Sequence, residues 1–143
     1  MQIPDVVRRY VDAFAARDSA GCARCFASDG TYSDPTYAPE PLRPDAIQKQ
    51  FGNVFDAFPD AATETVGLYL IAEQMVVWRW IIRGTNAGPF AGRPATGRPI
   101  ELPGCEFIEV HDGLIQRVEG YFDRLMLLAQ LGLAPVPARP SST

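Results

Sequence analysis

Asp34 closes the run Thr31-Tyr32-Ser33-Asp34 and is followed by Pro35, which removes a backbone donor and ends a strand. Tyr32 lies on the same side of that strand. A carboxylate at such a place, facing an apolar pocket, is poorly solvated; its pKa rises and it becomes a better base. The competing reading is a turn aspartate that accepts bonds from nearby backbone N–H groups. Tyr10 offers a phenol on a helix face shared with Val7, Val11 and Phe14, a spacing that equally describes a core tyrosine with its hydroxyl reaching the surface. Arg79 stands between Trp78 and Trp80, so it enters the pocket or meets a partner subunit; a lone arginine on a sheet reads first as an ion-paired rim residue.

Other chemical signals weaken on inspection. Cys22-Ala23-Arg24-Cys25 has the C-x-x-C spacing but falls within a short helix, not after a strand, and no second pair follows. The only histidine, His111, sits in a turn, which leaves a four-ligand zinc site and a Ser–His–Asp triad equally unsupported. The glycines between Gly84 and Gly97 fit neither a phosphate loop nor a dinucleotide fingerprint, so no metal and no cofactor is expected.

The 143 residues suffice for one domain with its own core. Apolar residues make up 47% and charged residues 21%, an ordinary balance for a globule. A net charge of −4 with no basic stripe gives nucleic acid no electrostatic foothold, and no basic run flanks an apolar segment to suggest a membrane. The segment Met1–Tyr10 lacks the apolar stretch and cleavage site of a secretion signal, and the apolar runs Met75–Ile82 and Leu125–Leu128 are too short to span a bilayer. Three cysteines cannot all pair within one chain. A cytoplasmic location with reduced thiols is therefore expected.

The elements that must position these groups follow from periodicity. Val7, Tyr10, Val11 and Phe14 predict a first helix with Pro4 in its first turn; Ser19 caps a short second helix carrying Ala23 and Phe26. Asp29-Gly30 turns into the short strand Thr31–Asp34, and Pro35–Pro44 reads as a loop. Pro44-Asp45 opens a third helix with Ile47, Phe51, Val54, Phe55 and Phe58 at helical spacing, stopped by Pro59-Asp60. Strands are predicted over Thr63–Ile71, Met75–Arg83, Ile100–Val110 and Leu114–Phe122, the last two joined by a hairpin at His111–Gly113. Leu125, Leu128 and Leu131 make a last helix closed by Gly132, with Asp123 as its cap, and Ala134–Thr143 is expected to be a disordered tail. The expectation is one α+β domain over residues 1–133, a curved antiparallel sheet wrapped around N-terminal helices to form a cone with one apolar pocket.

Several stretches resemble a known superfamily. Arg9–Phe14 followed by Phe26–Pro35 looks like the N-terminal half of ketosteroid isomerases. Arg83–Phe90, with Gly92, Pro94, Thr96-Gly97-Arg98 and Leu102-Pro103-Gly104, is similar to SnoaL-like polyketide cyclases, as are Tyr121-Phe122-Asp123 and Gln130-Leu131-Gly132. The likeness runs from about Val6 to Gly132 and is specific for the superfamily, whose members differ in chemistry; the pocket residues have to decide the reaction.

The resemblance implies that Asp34 is the general base that moves a proton between carbons, and that Tyr10 donates a hydrogen bond to the developing enolate oxygen. It also implies a second oxyanion donor near Pro103–Glu106. Successive strand residues face opposite sides, so either Cys105 or Glu106 points inward, according to the register of the hairpin; Glu106 is preferred because a neutral carboxylic acid is the stronger donor, with a surface glutamate as the plain alternative. Phe14, Tyr32, Phe51, Phe55, Phe58, Arg79, Cys105, Val118, Gly120 and Phe122 complete the expected substrate site. One departure matters: Gly120 stands where the cyclases carry a catalytic aspartate on the last strand, and glycine cannot exchange protons. Epoxide hydrolysis by an Asp–Arg–Asp set is disfavoured, with Ile81 and Gly120 at the aspartate places. The implied function is a cofactor-free cyclase or isomerase acting on a small apolar carbonyl compound, polyketide- or steroid-like, as a homodimer formed through the outer face of the sheet. The alternative is a binding protein, or a cyclase that works by holding its substrate folded.

Overall fold

The structure, a computed structural model, describes residues 2–36 and 40–135. Helix α1 (Asp5–Ala15) buries Val6, Val7, Tyr10, Val11 and Phe14 on one face, with Pro4 as its N-cap. Helix α2 (Ser19–Arg24) is capped by Asp18, whose side chain accepts the Gly21 N–H, so the expected cap at Ser19 moves one residue back. Phe26 does not belong to α2. It opens strand β1 (Phe26–Ser33), which begins five residues earlier than the sequence pattern suggests; the pairing shifts register between Phe26 and Thr31, and this irregularity hides the period-two signal.

Helix α3 (Pro44–Ala57) starts at its proline as expected and buries Ile47, Phe51, Phe55 and Ala57. Strands β2 (Ala62–Ala72), β3 (Met75–Thr85), β4 (Pro99–His111) and β5 (Leu114–Phe122) follow, and helix α4 (Arg124–Gln130) closes the chain, its N-terminus capped by Asp123. The tight turn between β4 and β5 uses Asp112 and Gly113, both at positive φ. The expected tail falls mainly on 136–143, outside the described residues.

The sheet runs β1-β5-β4-β3-β2 and is curved and unclosed. Four strands are antiparallel to their neighbours, but β1 pairs with β5 in parallel, so the sheet is mixed, not purely antiparallel. The parallel pair is possible because nearly the whole domain lies between the two strands as a crossover connection. Alternation along β3, β4 and β5 sends Trp78, Trp80, Leu102, Glu106, Ile108 and Val118 to the concave side, where α1 and α3 cover them. Tyr10, Phe14, Phe51 and Trp78 meet there as a connected set of rings with centroids 5.5–6.5 Å apart.

Asn86, just past β3, locks this arrangement. It is 1% exposed, and its amide donates to the carbonyls of Ala57 and Gly88 while its oxygen accepts from the Thr96 N–H and hydroxyl. One side chain therefore ties the end of α3 to the connection between β3 and β4. Replacement of Asn86 by alanine leaves the part-buried Gly88 carbonyl and Thr96 N–H without this partner, while the Ala57 carbonyl keeps the Ala87 and Gly88 N–H groups. It is expected to remove about 1–3 kcal/mol of stability, as read from urea unfolding, and a loss below ~0.5 kcal/mol, the scale of ordinary surface changes, would contradict the clamp.

Candidate active site

Two tyrosine–carboxylate pairs meet at one end of an apolar cavity. The first joins α1 to the sheet: Tyr10 donates its phenolic proton to Glu106 Oε1 at 2.7 Å, across 96 residues of sequence. The second lies within β1 and its exit, where Tyr32 donates to Asp34 Oδ2 at 2.7 Å and the Thr36 N–H donates to Asp34 Oδ1 at 2.7 Å. The turn role and the pocket role of Asp34 thus coexist, with one oxygen serving each. Gly120 on β5 stands between the pairs. A Cβ built on it would lie 3.3 Å from Asp34 Cβ, 3.5 Å from Tyr32 Oη and 3.6 Å from Glu106 Cγ.

The cavity encloses about 100 Å³ and is lined by Phe14, Tyr32, Phe51, Phe55, Phe58 and Phe122, with Trp80, Ile100 and Leu102 from the sheet and Asp34, Thr36 and Glu106 at its polar end. Phe90 separates it from an outer groove of about 500 Å³ that shares Thr36 and Val54 and carries Gln50 and Asn53. A cavity of about 150 Å³ is known to take benzene, so an inner space of about 100 Å³ admits at most one small ring. A polycyclic ligand has to extend past Phe90.

Glu106 is the inward member of the Cys105–Glu106 pair, and it is 2% exposed. Burial pushes its carboxyl up to about 7; the Tyr10 hydrogen bond opposes the rise, the nearby Asp34 charge adds to it, and the Trp80 indole N–H opposes it. Tyr10 is raised well above the ordinary phenol value, first by burial and then by the Glu106 charge, and so stays a donor. Near neutrality Glu106 exists as a mixture of acid and carboxylate. When protonated it accepts from Tyr10 on one oxygen and can donate from the other.

Some expected site residues fall elsewhere. Arg79 is exposed on the convex face, paired across strands with Cys105, which in turn pairs with Tyr121. Strand parity is the reason: with Trp78, Trp80 and Glu106 turned inward, Arg79 and Cys105 must face outward. Val118 is buried in the core beneath Ile108 and does not line the cavity. Tyr10 and Gly120 do not line it either; Tyr10 reaches the site only through Glu106, and Gly120 lies behind the side chains of Asp34, Tyr32 and Glu106. Trp80, Ile100, Leu102 and Phe90 were not foreseen as lining residues, although the inward parity of Trp80 and Leu102 was readable from the strand patterns. Among the described residues no group of three or more His, Cys, Asp or Glu side chains could hold a metal, and no helix is long and apolar enough to cross a membrane.

The pattern of the family described as SnoaL-like polyketide cyclase matches residues 4–131. The chain belongs to that family. Among solved structures it is similar to AclR, a candidate hydroxylase from Streptomyces galilaeus, with 21% identity, TM-score 0.80, and 94% of this chain and 83% of AclR covered. It is also similar to IdmH, a candidate polyketide cyclase from Streptomyces antibioticus, with 26% identity, TM-score 0.74, and 90% and 96% covered. A protein of ketosteroid isomerase-like fold from Catenulispora acidiphila gives 19% identity, TM-score 0.75, and 92% and 95% covered. No curated protein matches. The structural likenesses establish the cone fold, and the family match supports a cyclase type of activity.

The buried acid also governs how this SnoaL-like chain responds to pH. Because Glu106 holds its proton more tightly folded than unfolded, its contribution to stability is full below the ordinary carboxylate range and is lost as pH rises through about 7. Glu106→Gln keeps an oxygen for Tyr10 and removes the titration. Wild type is expected to lose on the order of 2–3 kcal/mol relative to the variant between mildly acidic and mildly alkaline pH, measured by urea unfolding. Parallel pH profiles for the two proteins would refute the assignment.

Proposed function

We propose that this chain is a cofactor-free enzyme that moves a proton on a small apolar carbonyl compound, with cyclisation or double-bond isomerisation as the outcome. Asp34 takes the proton α to the carbonyl. Glu106, protonated, donates to the carbonyl oxygen and stabilises the enolate as charge develops there. Asp34 then returns its proton to a different carbon, which completes an isomerisation; in a cyclisation the enolate carbon instead attacks an internal electrophile, and the new alkoxide takes up that proton. Tyr10 acts behind Glu106 as a positioning residue, and Tyr32 holds the Asp34 carboxylate at the cavity wall.

The single observation that carries this reading is the placement of two carboxyl groups around the Gly120 position in different environments, one fully enclosed and raised, the other bonded at the edge of a turn. Divergent environments of that kind separate an acid from a base. The substrate is an apolar ring ketone or a polyketide-derived compound whose reacting ring enters the inner cavity, while a polar remainder lies in the outer groove. Gly120 itself favours a second reading, a cyclase that works by holding its substrate folded, because glycine brings no functional group to that position on β5. Reduced thiols at Cys22, Cys25 and Cys105 suit a cytoplasmic setting.

The test is conversion of a β,γ-unsaturated cyclic ketone to its conjugated isomer, followed by ultraviolet absorbance. Asp34→Asn is expected to lower the rate by roughly 10²–10⁴-fold, and the wild-type rate is expected to fall as pH rises through about 7, where Glu106 loses its proton. Equal rates for wild type and Asp34→Asn would remove the base and favour the holding mechanism. The reading also includes a homodimer through the convex face, where exposed Tyr121 and Phe107 pack edge to face at 5.9 Å, and Tyr69 is exposed two strands away. Equilibrium sedimentation is expected to give twice the 15.7 kDa chain mass, and a species of 15.7 kDa would contradict it.

A further inference from the structure

Trp80 carries the one buried side-chain nitrogen or oxygen among the described residues without a hydrogen-bond partner, its indole Nε1–H. Buried donors in folded proteins are nearly always paired, and one left over indicates a strained or functional position. The contrast within the same strand is informative. Trp78, two residues earlier and on the same face, donates its own Nε1–H to Thr65 Oγ1 at 3.1 Å. Trp80 is only 5% exposed and lines the cavity, close enough to Glu106 for its N–H dipole to favour the charged carboxylate, but it completes no bond to it.

The ring has little freedom to seek a partner elsewhere. Its six-membered part lies flat on Gly104, the cross-strand neighbour on β4, where any Cβ would overlap the indole carbons. Trp78 and Phe122 flank it, each with its ring centroid 6.5 Å away. Glycine at 104 thus sets the indole against the sheet, and Glu106, two residues along the same strand face, sets the carboxyl beside it. The cavity wall around both groups is apolar except for Asp34, Thr36 and the Tyr32 hydroxyl, which is committed to Asp34.

We propose that the Trp80 indole N–H and the Glu106 carboxyl form one oxygen-binding subsite, in which Trp80 is the second donor to the carbonyl oxygen of the ligand. An indole N–H only donates, so with Glu106 protonated the subsite presents two donors and selects an acceptor oxygen. The ligand class that follows is an apolar cyclic ketone, bound by two donors on its oxygen and by aromatic rings around its carbon frame. Fixed donors of this kind strengthen as negative charge builds on the oxygen, because they need not reorganise. The subsite gives the proton-transfer reading above its second enolate donor and in that respect rests on it, but ketone binding can be measured without turnover.

The experiment compares cyclohexanone with methylenecyclohexane, ligands of nearly the same shape that differ in carrying an acceptor oxygen. Binding is followed by nuclear magnetic resonance titration of wild type and Trp80→Phe. The variant is expected to bind the ketone about tenfold more weakly and the hydrocarbon within about twofold of wild type, the size of a few-tenths change expected where no interaction is lost. Equal losses for both ligands would reduce Trp80 to a packing residue, and no loss for either would overturn the subsite. Should Trp80→Phe fail to fold, the wild-type spectrum still decides: the chain has two tryptophans, the Trp78 indole proton serves as internal reference, and only the Trp80 indole proton is expected to move downfield with ketone. An unmoved Trp80 resonance at saturation refutes the proposal. Repeating the titration in Asp34→Asn separates the two claims: a persisting Trp80 shift with unchanged turnover sinks the base alone, and a lost turnover without any Trp80 shift sinks the subsite alone.

Discussion

The hydrogen bond from Tyr10 to Glu106 is the constraint on which the rest of the site depends. A carboxyl enclosed by Trp78, Trp80 and the helices cannot remain there unpartnered, since burial of a lone charge is strongly unfavourable. The phenol of Tyr10 satisfies one oxygen at 2.7 Å and so permits a polar group at the centre of the concave face. Because the bond joins the first helix to the fourth strand, it also fixes how deeply α1 sits in the cone. Edge-to-face packing of the Tyr10 ring on Phe26 and Trp78, at 5.7 and 5.8 Å, holds the donor in one orientation. Fold and acid chemistry are therefore set by the same side chain.

From that anchor the other parts acquire separate tasks. Tyr32 repeats the arrangement at the cavity edge, but its carboxylate partner also takes a backbone N–H from Thr36, which ties Asp34 to the turn after β1. One carboxyl is thus held by a single phenol in an enclosed place, the other by a phenol and a backbone donor at the rim. Equal chemical groups end in unequal surroundings, and the difference comes from which element each one leaves: the middle of a central strand for Glu106, the end of an edge strand for Asp34.

Much of this was legible in the sequence, and what was not has identifiable causes. Tyr10 could be named from the helical period of its segment, Asp34 from the proline that ends its strand, and Glu106 from the family resemblance together with strand parity. Their pairing could not, since Tyr10 and Glu106 lie 96 residues apart and no local pattern carries that contact. The outward turn of Arg79 was implicit in its place between two inward tryptophans, and the same parity rule sends Cys105 outward once Glu106 is inside. The parallel pairing of β1 was invisible because its register slips between Phe26 and Thr31. Asn86 went unremarked in a Gly-rich connection, where an asparagine reads as an ordinary turn residue; its four hydrogen bonds appear only when the end of α3 is brought beside it. For a similar reason Trp80 was not singled out. An indole on an apolar strand looks like packing until its nitrogen is found without a partner.

Gly120 shows why the site has two carboxyl groups and not three. The likeness to cyclases places an aspartate at this position, and the geometry shows what one would meet: a Cβ at 3.3 Å from that of Asp34, with Glu106 Cγ 3.6 Å away on the other side. A third carboxylate there would lie against two others in an apolar enclosure, where like charges at such separations raise one another's pKa and cannot all ionise. Its arrival would push Glu106 further toward the neutral form and crowd the side chains of Asp34 and Tyr32. Glycine leaves the Asp34 charge as the chief influence of its sign on Glu106. The departure from the cyclase pattern is in this sense consistent with the rest of the site: with Glu106 inside the cone, the position on β5 is more useful empty.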